Sequence, residues 1–304
     1  MQLKLELNTG LCLLQDSGRW GYRRLGVSSS GPMDRSSYRW ANWLLGNPEN
    51  AAVLEITLGK TQFKVTQPGW LVITGADLSA SLNGNPLTLW QAFEVKAGDL
   101  LLFSKPRNGL RAYLATAGGW SAQNRLGSVA TSMREKLGGL NGVGGAVEIG
   151  DCLTSNFSEP ELTRVMPAWL IPDFNAASSF AVIPGFQYES FALHEREKLF
   201  NQSFELSKDC DRMGYRLMGV AIHSSNASLI SEPVVRGAIQ LPPDGQPIVL
   251  MADCQTLGGY PKLGTVFSLD LDRLSQRMPG QSLSFRKIAM AEAQKRYEAF
   301  ESKF

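Results

Sequence analysis

The chain is predicted to be mainly β, folded as two β-rich units. Three observations carry that reading. Short apolar runs recur at close spacing through both halves, as in barrels and sandwiches. Asn83-Gly84 between two such runs is a strong two-residue hairpin signal. Between the halves, residues 155–180 carry three prolines and no strand period, as a connection between domains does.

In order, the first unit, 1–155, reads as strands at LKLEL, TQFKV, WLVITG, LSASL, LTLWQAFEV, DLLLF and RAYLATAG. One helix interrupts them. Asp34 is placed to cap it, Tyr38, Ala41, Leu44 and Leu45 share a face, and Gly46 ends it. After the connection at 156–180, the second unit, 181–304, reads as strands at FAVIPG, SFELS, GAIQL, PIVLMA, TVFSLDL and SLSFRKI. The end, AMAEAQKRYEAFESKF, has a mixed-charge helical pattern. No repeat of short fixed period is visible.

Composition bounds the function. With 304 residues a sizeable core is available, and 43% hydrophobic with 19% charged residues is a globular balance. A net charge of +2 without a long basic run gives no general attraction to nucleic acid or acidic membranes, so neither is expected as a partner. No segment approaches the roughly 20 apolar residues that span a bilayer. The N-terminus alternates apolar and polar residues and carries acids early, unlike a secretory signal. The cysteines, Cys12, Cys152, Cys210 and Cys254, form no CxxC pair and read as reduced thiols of a cytoplasmic protein. Only His194 and His223 are present, and HEREK lacks the second histidine of a zinc helix, so no metal site is expected.

The richest stretch is GAIQLPPDGQPIVLMADCQTLGGYPK, Gly237 to Lys262. A strand ending at Gln240 breaks at Pro-Pro-Asp-Gly, where proline presets φ and glycine supplies positive φ. The next strand delivers Asp253, Gln255, Thr256, Gly258, Gly259, Tyr260 and Lys262 together. An acid, an amide, a hydroxyl and a cation gathered behind an apolar strand describe a small polar pocket. Burial of Asp253 would suit it to acid–base work, and Tyr260 and Lys262 add proton-transfer or anion-holding groups. A structural carboxylate capping the Gly258-Gly259 turn is the equally weighted alternative for Asp253.

Three further stretches carry polar chemistry. In DRMGYRL, Arg212 is suited to clamp a carboxylate or phosphate in two-pronged fashion, against the alternative of an Asp211–Arg212 ion pair. GGLNGVGG at 138–145 could wrap an anion with bare amides, but it matches no nucleotide motif and reads better as a surface loop. Gln15 to Asp34 interleaves charges, serines and glycines, and holds no GxSxG nucleophile elbow.

GVSSSGPMD, NPENAAVLEITLG, YLATAGG, DRMGYRL and GAIQLPPDGQPIVLMADCQTLGGYPKLGTV resemble the allophanate hydrolase subunit 2/KipA group, over about residues 3–292. That group is related to the C subunits of bacterial 5-oxoprolinases and to the carboxyltransferase region of urea carboxylase. The resemblance implies two cyclophilin-like β-barrel domains with a few short helices. It implies a cytoplasmic heteromeric enzyme using ATP, with two partner proteins, one KipI-like and one LamB/YcsF-like. Carried over position by position, it implies Asp253, Lys262 and Tyr260 as catalytic groups. Arg212, Asp211, Tyr215, Gln240, Gln255, Thr256, Gly258 and Gly259 would hold substrate or anion. One departure stands out: the family's PGPQ-like turn is here Pro184-Gly185-Phe186-Gln187, with phenylalanine for the second proline. The expected activity is ATP-dependent opening of 5-oxoproline to glutamate. A biotin-dependent carboxyltransferase of the urea pathway is the alternative, needing a separate biotin carrier since no AMKM motif is present. A KipA-like regulator that binds a KipI-like kinase inhibitor is a third.

Overall fold

The computed structural model describes residues 1–304 except 158, 161, 177–178 and 225–228, so parts of the expected 156–180 connection lie outside the described residues. The chain is mainly β and forms two compact units. The first comprises Met1–Gly21 and Ser29–Asn175; the second comprises Tyr22–Ser28 and Ala176–Phe304.

In the first unit, Cys152–Thr154, Gln2–Asn8, Thr61–Gln67, Leu100–Phe103, Ser81–Leu82 and Asn85–Pro86 make one sheet in that order. Leu11–Gln15, Val53–Thr57, Asn108–Thr116, Gly69–Asp77 and Ala92–Val95 make the other. Alternation sets the inner face: Leu3 and Leu5 point in while Lys4 and Glu6 point out, and Phe63 and Val65 face Leu101 and Phe103 across the first sheet. From the second sheet, Leu14, Leu54, Ile56, Leu71, Ile73 and Leu114 complete one shared core. The expected hairpin is present. Asn83 (φ 52°) and Gly84 (φ 83°) both take positive φ, the two-residue turn whose twist suits Ser81↔Pro86 and Leu82↔Asn85 pairing.

The helix Arg35–Leu44 forms as its spacing predicts, with the Asp34 carboxylate accepting from Ser37 N at 2.9 Å. It covers the outer face of Asn108–Thr116 and Gly69–Asp77, which is why those strands are buried on both sides. Thr74 fastens it by donating to the Ser37 carbonyl at 2.7 Å. The segment up to Asn175 clusters with this unit through such contacts as Arg164 N to the Leu44 carbonyl at 2.9 Å.

The second unit is a closed barrel ordered Ser179–Pro184, Lys262–Val266, Ala238–Gln240, Ile248–Leu250, Gly214–Met218, Ser203–Cys210 and Ser282–Lys287. Every pairing is antiparallel except the closure, where Phe180 sits beside Phe285 in parallel register. Phe180, Phe204, Leu206, Leu217, Ile239, Val249, Leu263, Leu283 and Phe285 fill it. In the first unit the two sheets remain separate around their core; the barrel closure belongs to the second.

Several expected strands are shorter than their apolar runs. TVFSLDL stays extended only to Val266, and Ser268–Leu274 is a helix. Its buried Leu271 and Leu274 stand three apart, and the buried Asp270 carboxylate accepts from Ala181 N at 2.6 Å, tying the helix to the barrel. PIVLMA pairs only over Ile248–Leu250, because Met251 N turns to the Met213 carbonyl and Cys254 N closes on Met251 O. In LTLWQAFEV, only Ala92–Val95 is strand; Trp90 takes positive φ (62°) and is buried.

Candidate functional site

The Gly237–Lys262 stretch folds as its turn chemistry requires. Gly245 (φ 74°) donates to the Pro242 carbonyl at 2.9 Å, reversing the chain so that Ile239 pairs with Val249 and Gln240 with Ile248. On its other side Gln240 pairs with Lys262, the first residue of the next barrel strand. A short ribbon forms beside them, with Glu232–Pro233 against Leu257–Gly258.

Lys262 is mostly buried, and its ammonium pairs with the Glu232 carboxylate. Gln187 binds both partners. Its Oε1 accepts from Lys262 N at 2.7 Å, and its Nε2 donates to Glu232 Oε1 at 2.6 Å. This polar cluster borders an open cleft of about 530 Å³ lined by Phe186, Gln187, Ser190, Ser224, Leu229, Ile230, Glu232 and Pro261. Lys262 Nζ lies 5.9 Å from the centre of the Phe186 ring. Burying an ammonium is tolerable only because the carboxylate accompanies it.

Gln240 is 2% exposed, and its Oε1 accepts from Gln255 Nε2 at 3.4 Å. Its own Nε2 has no hydrogen-bond partner among the described residues. A Cβ at Gly258 would stand 2.5 Å from that nitrogen, which accounts for glycine there. Gly259 is constrained likewise, 3.0 Å from the Leu229 carbonyl. The Thr256 carbonyl accepts from Val234 N, extending the ribbon, while Tyr260 is exposed.

Asp253 is held by Arg212 through two parallel bonds, Nε to Oδ2 at 2.8 Å and Nη2 to Oδ1 at 3.0 Å, both residues buried. Asp253 N also donates to the Arg212 carbonyl at 2.7 Å. Arg212 is therefore paired with Asp253, forty-one residues away in the chain. Asp211 instead caps its own turn, accepting from Met213 N at 2.7 Å and Gly214 N at 3.1 Å. Tyr215 lies in the core with its hydroxyl donating to the Ser275 carbonyl at 3.1 Å. Asp253 thus has both oxygens engaged, and Asp211 and Tyr215 serve local structure. Gln240, Gln255, Gly258 and Lys262 are the predicted residues that the barrel brings side by side.

Two contributors carry no local signal in the sequence. Glu232 sits thirty residues before its partner Lys262, too far for any spacing rule. Arg23 comes from the Tyr22–Ser28 segment, and its Nη2 donates to the carbonyls of Val234 at 2.6 Å and Gln255 at 3.1 Å, bracing the ribbon from both sides. Burial pushes the neighbouring Cys254 thiol up, against the opposing pull of the Arg23 guanidinium.

The glycine-rich run folds on itself. Gly139 N donates to the Val129 carbonyl and Gly144 N to that of Gly138, so these amides are spent internally. In the 15–34 loop, Asp16 accepts from Gly18 N, Ser128 Oγ and Val129 N, and buried Arg19 donates to the Arg125 and Ala130 carbonyls. Elsewhere in the first unit, Glu55 Oε2 accepts from Met33 N and from the Tyr113 hydroxyl, each at 2.8 Å. Burial, reinforced by Glu55 and Asp34, drives the Tyr113 hydroxyl well above its ordinary pKa. Among the described residues no group of three or more His, Cys, Asp or Glu side chains is placed to hold a metal ion. Among them also, no helix is long and apolar enough to cross a membrane.

Comparison with known proteins accounts for this architecture. The family described as carboxyltransferase domain, subdomain A and B, matches residues 25–287. The chain belongs to the carboxyltransferase domain family. Members similar to it include the 5-oxoprolinase C subunit of Escherichia coli, 35% identical over 93% of this chain and 90% of that protein. The Haemophilus influenzae protein of the same name is 33% identical over 93% and 90%. The urea carboxylase of Kluyveromyces lactis superposes with a TM-score of 0.92 at 27% identity, covering 99% of this chain and 28% of the larger one. The urea amidolyase of that organism gives a TM-score of 0.91 at 27% identity over 99% of this chain and 19% of its own.

Proposed function

We propose that this chain is the C subunit of an ATP-dependent 5-oxoprolinase, a cytoplasmic complex that opens 5-oxoproline to L-glutamate. Its partners on this reading are a KipI-like protein and a LamB/YcsF-like protein. The supporting observation is coextensiveness. Similarity to the bacterial C subunits spans nine-tenths of both chains, whereas the urea enzymes are several-fold longer than the region they share.

A lactam carbonyl is a poor electrophile, and the chemistry follows from that. Transfer of the γ-phosphoryl group of ATP to the lactam oxygen expels ADP and activates the ring carbon. Water adds there, the C–N bond breaks with the nitrogen taking a proton, and a second water releases phosphate from the resulting acyl phosphate. Charge accumulates on oxygens at each stage, so a fixed cation beside the reacting carbonyl lowers the barrier. Lys262 is that cation on this reading, with Gln240 and Gln255 supplying neutral hydrogen-bonding groups. The Arg212–Asp253 pair holds the loop that carries them. Since the glycine-rich run matches no nucleotide motif, ATP is assigned to a partner or shared surface.

A second reading, a biotin-dependent carboxyltransferase acting on urea, is favoured by the near-complete superposition on the fungal urea carboxylase. It requires a separate biotinylated carrier. The test of both is reconstitution with the KipI-like and LamB/YcsF-like proteins of the same organism. ADP and glutamate formed only when 5-oxoproline and this chain are both present support the first reading. Assembly without turnover, followed by carboxyl transfer to urea from a biotinylated carrier, supports the second.

A further inference from the structure

We propose that the cleft beside Lys262 is a subsite that reads the cis edge of an amide, and that Phe186 selects for a ring carrying it. This deepens the proposed function, on whose amide-processing reading it rests. The floor of the cleft sets the Glu232 acceptor beside the Gln187 donor, with the Lys262 ammonium paired to Glu232 next to them. Glu232 Oε1 collects both the Gln187 amide and the Lys262 ammonium, while Glu232 Oε2 takes no hydrogen bond among the described residues. Gln187 Nε2 has a second proton beyond the one given to Glu232, and the ammonium has two. Such a surface complements a group that offers one donor and one acceptor side by side.

An amide in a small ring is such a group. Ring closure forces it cis, so its N–H and C=O lie along one edge. An open-chain secondary amide strongly prefers trans, and its N–H and C=O then point in opposite directions. Urea and primary amides keep one N–H beside the carbonyl and satisfy the floor equally, but they carry no ring. The walls make that distinction. Phe186 is 80% exposed and Ile230 93% exposed, both lining the cleft, and the Phe186 ring stands over the Lys262 ammonium. An aromatic face left uncovered beside a polar floor is a stacking surface for a flat ring. The cleft volume of about 530 Å³ suits a small metabolite.

The test is equilibrium binding without ATP, on the full chain alone and together with the two proposed partner proteins. The probes are 5-oxoproline, 2-pyrrolidinone, urea and N-methylacetamide. The two lactams should bind at least about tenfold more tightly than N-methylacetamide. Phe186→Ala should weaken the lactams about tenfold and leave urea unchanged, while Glu232→Gln should weaken lactams and urea alike. Phe186 is a surface residue, so its variant keeps the fold, and the melting temperature of Glu232→Gln checks the other. Equal affinity for cyclic and open-chain amides, an unchanged lactam affinity in Phe186→Ala, or no binding in either preparation would overturn the subsite. Tight lactam binding without glutamate formation in the reconstituted complex would remove the oxoprolinase reading alone. Glutamate formation indifferent to Phe186→Ala would remove the subsite alone.

Discussion

Arg212 and Asp253 are joined by two side-chain hydrogen bonds and one backbone bond, all of 3.0 Å or less, at a buried position where the barrel hands over to the site loop. The bidentate geometry uses both carboxylate oxygens, so the pair stabilises the loop before it does any chemistry.

Removing Arg212 takes the cation away from the buried Asp253 carboxylate. Arg212→Ala should therefore cost about 3–5 kcal/mol, as breaking buried pairs generally does. Urea unfolding would measure it. Asp253→Asn should be destabilised too, and its loss of activity should track its loss of folded protein. A variant fully folded at the assay temperature but inactive would instead give Asp253 a direct chemical role.

Lys262 makes the opposite prediction. Lys262→Met keeps the aliphatic stem in place and removes the charge. Lactam-dependent ADP release by the reconstituted complex should fall about 100-fold, the usual scale for losing one electrostatic contact to a transition state. Near-normal turnover would displace Lys262 from the proposed chemistry.

In the first unit, the Tyr113 hydroxyl donates to Glu55 and accepts from Asp34 N at 2.7 Å. Tyr113→Phe leaves a buried carboxylate one donor short and should cost about 1–3 kcal/mol. Thermal unfolding would report it, and catalysis by the folded variant should be unaffected.

The cysteines predict an alkaline response. Burial pushes the Cys12 thiol from 9.0 up to about 12, so the folded state holds its proton where the unfolded chain has lost it. Above pH 9 the unfolded state binds fewer protons, and stability falls as pH rises toward 12, by at most about 1.4 kcal/mol per pH unit for this group. Tyr38 and Tyr113, both raised chiefly by burial, act in the same direction at higher pH. Cys12→Ala should flatten the fall between pH 9 and 12 in denaturation midpoints. Among the described residues the four cysteines form no disulfide, so a thiol reagent should label exposed Cys152 first and Cys12 and Cys254 only on unfolding.

What is legible in the sequence is local. The Asn83-Gly84 hairpin, the Asp34-capped helix and the Pro242–Gly245 reversal each depend on residues a few positions apart, and turn or helix chemistry specifies them directly. TVFSLDL reads as strand to Leu271, whereas from Ser268 the chain is a helix, tied down by buried Leu271 and Leu274 and by Asp270 accepting from Ala181 N. The site divides in the same way. Gln240, Gln255 and Lys262 lie on one hairpin and its following strand, so their grouping can be foreseen. Glu232, Arg23 and the pairing of Arg212 with Asp253 are set by register across the barrel and ribbon, which no spacing encodes.

The Tyr22–Ser28 segment is synthesised long before the structure it joins. Arg23 and its acceptor Val234 are 211 residues apart in the chain. At about 5–20 residues per second, the segment waits on the order of 10–40 s during translation before its acceptors leave the ribosome. The second unit therefore cannot complete itself from its own contiguous stretch of sequence. A fragment beginning after Asn175 would lack the guanidinium that bridges its ribbon, and supplying residues 22–28 as a separate peptide is the natural way to restore it.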